Sequence, residues 1–161
     1  MGSKLRFMVQ AAVIAATYVA VTLLLAYTSF GPVQLRFSEA LCALALYTPA
    51  AIPGLFIGCV IANLLGSSIA LDVVVGGLIT LAAAALTYRL RRRPLIALAP
   101  PVALNAVGLA ALFYFVGQAP FWLTVLTVGA GQLLACYGLG LPLAYGLKKV
   151  PQISWEHEKG R

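Results

Sequence analysis

The chain alternates between long apolar runs and short polar stretches, a pattern typical of membrane-spanning helices. The runs are rich in Leu and Ala and show no period of two, which favours helices over the strands of a transmembrane barrel. About 20 residues cross a bilayer core as a helix, so the second and third runs are short for full spans. The pattern predicts an all-α integral membrane protein, a compact bundle of six transmembrane helices at residues 7–27, 38–49, 52–65, 72–88, 95–116 and 122–147.

Basic residues cluster near the ends of these runs and indicate the topology. They occur before the first run, at 89–93 and at 148–149. If both short runs cross the membrane, the positive-inside rule places both termini and the arginine cluster in the cytoplasm. If the two runs make one crossing together, the arginine cluster lies outside, so six crossings are favoured. A re-entrant hairpin made of both runs would also leave the arginine cluster in the cytoplasm, and we retain it as an alternative. We expect one membrane domain over 1–150 and a polar cytoplasmic tail over 151–161.

Composition excludes an ordinary soluble domain, because 62% of the 161 residues are hydrophobic and 9% are charged. The net charge of +7 comes from loops and termini, so it indicates topology rather than nucleic-acid binding. The sequence has no G-x-x-x-x-G-K-[ST] phosphate loop, and its one histidine, His157, lies in the polar tail. Cys42, Cys59 and Cys136 lack C-x-x-C spacing and are expected to be small buried side chains. We expect no catalytic residue, metal site or cofactor.

Three charged residues stand alone in the apolar part of the chain: Arg36, Glu39 and Asp72. A charge at the centre of a membrane helix costs about 2.5–3.5 kcal/mol on insertion scales, so such residues are usually retained for a function. Local explanations also exist. Arg36 and Glu39 are three residues apart and can pair with each other. Ser38 can cap the second helix, and Asp72 can cap the fourth.

The predicted topology brings these charges to the outer end of the bundle, together with other polar and aromatic side chains. Asn63, Tyr114 and Trp122 share that level, whereas Asn105 and Gln132 lie near mid-membrane. The amides can instead join helices to one another, and Trp122 can belong to the aromatic belt at the membrane interface. The shared depth predicts a substrate pocket open to the outside, floored by amides and rimmed by charges and aromatics.

Small residues four apart form ridges on the first and third runs. Such ridges let another helix approach closely, because no large side chain separates the two backbones. They predict a surface on the first helix that docks onto another membrane protein, with packing inside the protein's own bundle as the equal alternative. The sets are Ala11 with Ala15, Ala12 with Ala16 and Ala20, and Gly54 with Gly58 and Ala62.

Several blocks of the membrane region resemble, in order, the QueT family of substrate-binding S components of energy-coupling factor (ECF) transporters. The resemblance implies a six-helix protein of the prokaryotic cytoplasmic membrane that takes up a queuosine precursor, a base built on 7-deazaguanine. It also implies partners: a transmembrane coupling subunit, which docks on the first helix, and two ATPase subunits that hydrolyse ATP. The blocks are GPVQLRFSEAL, IPGLFIGCVIANLLG, LDVVVGGLITLAAA, PPVALNAVG and PFWLTVLTVGAGQLLACYGLGLPL.

The resemblance also implies roles for single residues. The R-x-S-E block places Arg36 and Glu39 in the substrate site, the LD block adds Asp72, and the amides of three further blocks join them. One carboxylate would accept the ring N–H and amine of a guanine-like edge, and the other would balance an aminomethyl cation. Where the family's SEAL block continues with Thr, this chain has Cys42, a departure that bears on the choice of substrate.

Two other functions stay open at this point. One is an S component for a different flat nitrogen heterocycle or a vitamin. The other is a membrane assembly subunit without a ligand, in which the isolated charges only anchor an interface.

Overall fold

Every regular element in the described residues, 2–30, 35–67 and 69–149, is a helix in the computed structural model of the chain. Helices occur in all six predicted runs, so the all-α prediction is confirmed. The predicted tail at 151–161, with His157, lies outside the described residues. The elements are α1 (Ser3–Leu24), α2 (Ala26–Ser29), a 3₁₀ helix (Phe37–Leu46), α3 (Ala51–Gly66), α4 (Ala70–Arg89), α5 (Pro94–Ala97), α6 (Ala99–Phe115), α7 (Phe121–Leu133), a π-helix (Leu134–Gly140) and α8 (Leu141–Lys148).

Four helical stretches are long and apolar enough to cross a membrane: Ser3–Leu24, Ala70–Arg89, Pro94–Phe115 and Phe121–Lys148. The 3₁₀ helix and α3 are shorter. At the rise per residue of each helix type, they extend about 20 Å and about 24 Å, below the thickness of about 30 Å of a bilayer core. The chain is therefore a multi-pass helical membrane protein with four candidate spans and two shorter apolar helices in the described residues. Six crossings stay a prediction.

The directions of the helices decide which residues meet at each end of the bundle. The 3₁₀ helix runs antiparallel to α1, because Tyr18 in the second half of α1 bonds Glu39 near its start and Gln10 in the first half of α1 bonds Thr48 just after its end. α4 turns back along α3, and Asn63 near the end of α3 donates to the carbonyl oxygen of Asp72 in the first turn of α4. We call this end, which holds Arg36 and Asp72, the charged-pair end. The opposite end, which holds Lys4, Arg89 and Lys148, is the basic end.

The ridges of small residues on α1 and α3 pack against each other. A Cβ built on Gly54 would lie 2.8 Å from the carbonyl oxygen of Ala11, and one on Gly58 would lie 3.0 Å from that of Ala15. Ala11 and Ala15 are buried as a result. The predicted docking surface includes Ala11 and Ala15, but these two alanines pack against the glycine ridge of α3 inside the chain. The alanines that stay exposed are Ala12, Ala16 and Ala20.

Two segments at the centre of the fold depart from α-helical geometry. The second predicted helix is a 3₁₀ helix of ten residues, and a π-helix of seven residues interrupts the last long stretch. Long 3₁₀ runs are uncommon, and π segments occur frequently at functional sites. The two segments touch: a Cβ on Gly140 would lie 3.1 Å from the carbonyl oxygen of Ala40. Small side chains permit this approach, and seven of the ten residues in the 3₁₀ helix are buried.

Candidate functional site

Arg36 and Asp72 form a buried ion pair at the charged-pair end. Nη2 of Arg36 lies 3.0 Å from Oδ2 of Asp72, and the side chains are 2% and 1% exposed. This contact corrects two local expectations. The ion-pair partner of Arg36 is Asp72 rather than Glu39, and Asp72 does not cap α4, whose N-cap residue is Ile69. Ser38 does not cap the 3₁₀ helix either, because it lies inside that helix and its hydroxyl is hydrogen-bonded to the hydroxyl of Thr22.

Further contacts hold the guanidinium of Arg36 in place. Its Nε donates to the carbonyl oxygen of Ser29 at 3.3 Å, and its Cζ lies 5.4 Å from the ring centre of Phe30, a distance typical of a cation–π contact. Arg36 thus ties together α2, the start of the 3₁₀ helix and α4. The rigid fork of an arginine suits this task, since its donors point in fixed directions.

The other side of the Asp72 carboxylate has no partner among the described residues. Oδ1 of Asp72 is buried and accepts no hydrogen bond, and the same holds for Oδ1 of Asn63 beside it. Gly76 adjoins both side chains, since a Cβ built there would lie 2.7 Å from Nδ2 of Asn63 and 2.9 Å from Oδ1 of Asp72. A buried polar atom left unpaired costs about 1–3 kcal/mol. Asp72 and Asn63, whose side chains both adjoin Gly76, thus each leave one buried acceptor for a ligand with N–H donors.

Glu39 is held by neutral donors. The hydroxyl of Tyr18 donates to Oε1 at 2.5 Å, and the thiol of Cys42 donates to Oε2 at 3.3 Å. The side chain is fully buried. Glu39 is thus a buried carboxylate without an ion-pair partner among the described residues.

Sequence reasoning missed Tyr18 and Thr22, which carry polar groups into this cluster. A signal for them exists in α1. They continue the buried face of Ala11, Ile14 and Ala15 at spacings of three and four residues. The hydroxyl of a tyrosine on a buried helical face needs a hydrogen-bond partner, so Tyr18 indicates a polar neighbour on another helix.

Gln132 is connected to the backbone of Glu39 through Cys136. It lies in the last turn of α7, just before the π-helix, and its Nε2 is buried without a partner in the described part of the chain. Sγ of Cys136 lies 3.7 Å from both the carbonyl oxygen of Glu39 and Oε1 of Gln132. The predicted site residues that meet are therefore Arg36, Glu39, Asn63, Asp72 and Gln132.

Three predicted site residues lie elsewhere. Asn105 is buried, but its Nδ2 donates to the carbonyl oxygen of Pro101 in its own helix. Tyr114 and Trp122 are 59% and 75% exposed, and both make edge-to-face contacts with Phe121 between them. Such a row of exposed aromatics at helix ends is typical of the aromatic belt of membrane proteins. The structure does not bring these three side chains to the buried charges.

All three cysteines are buried and free, which confirms the prediction made for them. Two do more than fill space. Cys42 donates to Glu39, and Sγ of Cys59 accepts hydrogen bonds from Thr80 and Asn63 at 3.3 and 3.6 Å. Within the described ranges, no group of three or more His, Cys, Asp and Glu side chains is placed to hold a metal ion.

These features define a class: a multi-pass helical membrane protein with a buried, charged and incompletely paired polar site between its helices. Residues 8–149 match the family model of the QueT transporter, and the chain belongs to that family. A relative from Lactococcus lactis subsp. cremoris, named queuosine precursor transporter QueT, is 43% identical over 81 residues. That alignment covers 49% of this chain and 47% of the relative, so the match spans about half the length of the relative. No solved structure matches the chain.

Proposed function

We propose that the chain is the substrate-binding subunit of an ATP-driven ECF importer, and that it takes up a queuosine precursor built on 7-deazaguanine. Membership of the QueT family and the name of the Lactococcus relative support the class of substrate. The resemblance of the membrane blocks to S components supports the type of transporter.

The observation that carries the proposal is the pair of unpartnered acceptors, Oδ1 of Asp72 and Oδ1 of Asn63. A guanine-like edge presents a ring N–H and an exocyclic amine side by side, so it offers donors to both oxygens. The bond to the carboxylate is charge-assisted and therefore the stronger one. Arg36 holds the other carboxylate oxygen and fixes its orientation.

Gln132 supplies the complementary group. Its unpartnered Nε2 is a donor, and the six-membered ring of a 7-deazaguanine carries a carbonyl oxygen that accepts one. The π-helix that follows sets this amide against the 3₁₀ helix through Cys136. Acceptors on α3 and α4 and a donor on α7 would thus contact neighbouring groups along one edge of the flat base.

The proposed topology has six crossings, with the basic end in the cytoplasm and the charged-pair end toward the outside. The basic residues of the first, fourth and last helices support this orientation by the positive-inside rule. Coupling to a transmembrane subunit and two ATPases would use the exposed ridge of Ala12, Ala16 and Ala20. The chain would then supply specificity, and its partners would supply the energy of ATP hydrolysis.

Calorimetry on the purified protein in lipid nanodiscs tests the function. The probes are 7-aminomethyl-7-deazaguanine, 7-cyano-7-deazaguanine, guanine and a set of vitamins. We expect saturable binding of at least one deazaguanine and none of the vitamins. Binding of a vitamin alone would overturn the substrate class. No heat from any probe, with the protein folded, would favour an assembly subunit.

Gly76→Ala is expected to weaken binding of the deazaguanine about tenfold or more. The new methyl group would lie within 2.9 Å of Asn63 and Asp72, so both side chains must move. Calorimetry measures the affinity, and thermal unfolding measures the stability. The control is Gly129→Ala, whose Cβ would meet Ala106 at 3.5 Å, an ordinary contact. Equal affinities for the two variants would show that the space at Gly76 has no part in the site.

A further inference from the structure

The buried site holds more negative than positive charge. Arg36, Glu39 and Asp72 are the charged residues between positions 7 and 88, and positions 94–147 contain none. All three side chains are buried. One cation thus faces two carboxylates, and an ionised site has a net charge of −1 in an apolar surrounding.

The excess charge belongs to Glu39. Arg36 is engaged with Asp72 at 3.0 Å, whereas both oxygens of Glu39 accept hydrogen bonds from neutral groups, the hydroxyl of Tyr18 and the thiol of Cys42. Neutral donors orient a carboxylate and reduce the penalty of its burial, but they leave its charge in place. A buried ion without a counter-ion is strongly disfavoured.

The same cluster is incomplete in its hydrogen bonding, which indicates that another molecule completes it. Oδ1 of Asp72, Oδ1 of Asn63 and Nε2 of Gln132 are buried and unpartnered in the described part of the chain. Gln132 is joined to the backbone of Glu39 through Cys136. A ligand that satisfied Nε2 of Gln132 would therefore lie close to the segment that carries Glu39.

We propose that Glu39 is the counter-ion for a positively charged substituent of the ligand, so that the site selects a monocation over a neutral molecule with the same ring. The inference rests on the proposed function and deepens it. Asp72 and Asn63 would read the base edge common to all 7-deazaguanines. Glu39 would distinguish 7-aminomethyl-7-deazaguanine, whose amine is protonated at neutral pH, from 7-cyano-7-deazaguanine, which is neutral.

Calorimetry with these two bases on the wild type, Glu39→Gln and Tyr18→Phe tests the proposal. We expect the wild type to prefer the aminomethyl base by about tenfold or more, since opposite charges attract each other strongly where water is excluded. Glu39→Gln keeps the size of the side chain but removes its charge, so the preference should vanish. Tyr18→Phe removes a neutral donor from the same carboxylate, so both affinities should fall while the preference remains.

The failure of this inference can be told apart from the failure of the proposed function. Equal affinity of the wild type for the two bases would overturn the role of Glu39 and leave the proposed function intact. This comparison uses the wild type alone, so it does not depend on whether a variant folds. A preference that survives in folded Glu39→Gln would also overturn it. If the wild type binds neither base, the proposed function itself fails.

Discussion

Asp72→Asn is expected to abolish detectable binding of the deazaguanine and to lower the stability of the protein. The substitution keeps the shape of the side chain but leaves the buried guanidinium of Arg36 without its ion-pair partner. Removal of one member of a buried pair costs about 3–5 kcal/mol, because the other charge stays in an apolar surrounding. It also replaces a carboxylate acceptor by an amide at the proposed base edge. Calorimetry and thermal unfolding, measured on the same preparation, follow both effects.

A double variant separates stability from recognition. Arg36→Met with Asp72→Leu removes both charges, and replacement of a buried ion pair by apolar residues of similar size is often neutral or stabilising. We therefore expect the double variant to unfold at a higher temperature than Asp72→Asn and to remain unable to bind. Wild-type affinity in Asp72→Asn, or binding restored in the double variant, would contradict the role given to this carboxylate.

The sequence locates all six helical regions because the apolar runs and their polar breaks are local signals. It does not reveal that one region is a 3₁₀ helix or that another contains a π-helix. Hydrophobic pattern does not distinguish these geometries from an α-helix. The difference lies in packing, where Ala40 and Gly140 allow the two segments to touch. The choice is made by tertiary contacts between residues 100 positions apart, which no local pattern contains.

The candidate site shows the same limit. The three charged residues are recognisable in the sequence because each apolar run around them lacks other charges. The sequence, however, suggests Glu39, three positions away, as the partner of Arg36. The partner is Asp72, 36 positions away, because the turn between α3 and α4 returns the chain to the start of the 3₁₀ helix. The sequence predicts Tyr114 and Trp122 near the charges from their depth alone. Depth along the membrane does not specify which way a side chain points, and both point away from the buried core.

The ridges of α1 give the second large effect. Ala16→Leu is expected to abolish uptake of the deazaguanine by cells that contain the complete importer, while binding to the purified subunit stays unchanged. Ala16 is exposed, so a larger apolar side chain there fits a lipid environment. It would, however, prevent close approach of a partner helix along the ridge of Ala12, Ala16 and Ala20. Uptake of labelled base and calorimetry are the two measurements.

Two matched variants make the result specific to that ridge. Ala85→Leu is the same change at an exposed position on α4, and it should leave uptake intact. Ala15→Leu changes the neighbouring residue, which is buried against α3. The carbonyl oxygen of Ala15 lies 3.0 Å from the position of a Cβ on Gly58. This substitution should lower the unfolding temperature, because it separates α1 from α3. If Ala16→Leu lowers stability as Ala15→Leu does, or if uptake survives it, the exposed ridge is not where the coupling subunit docks.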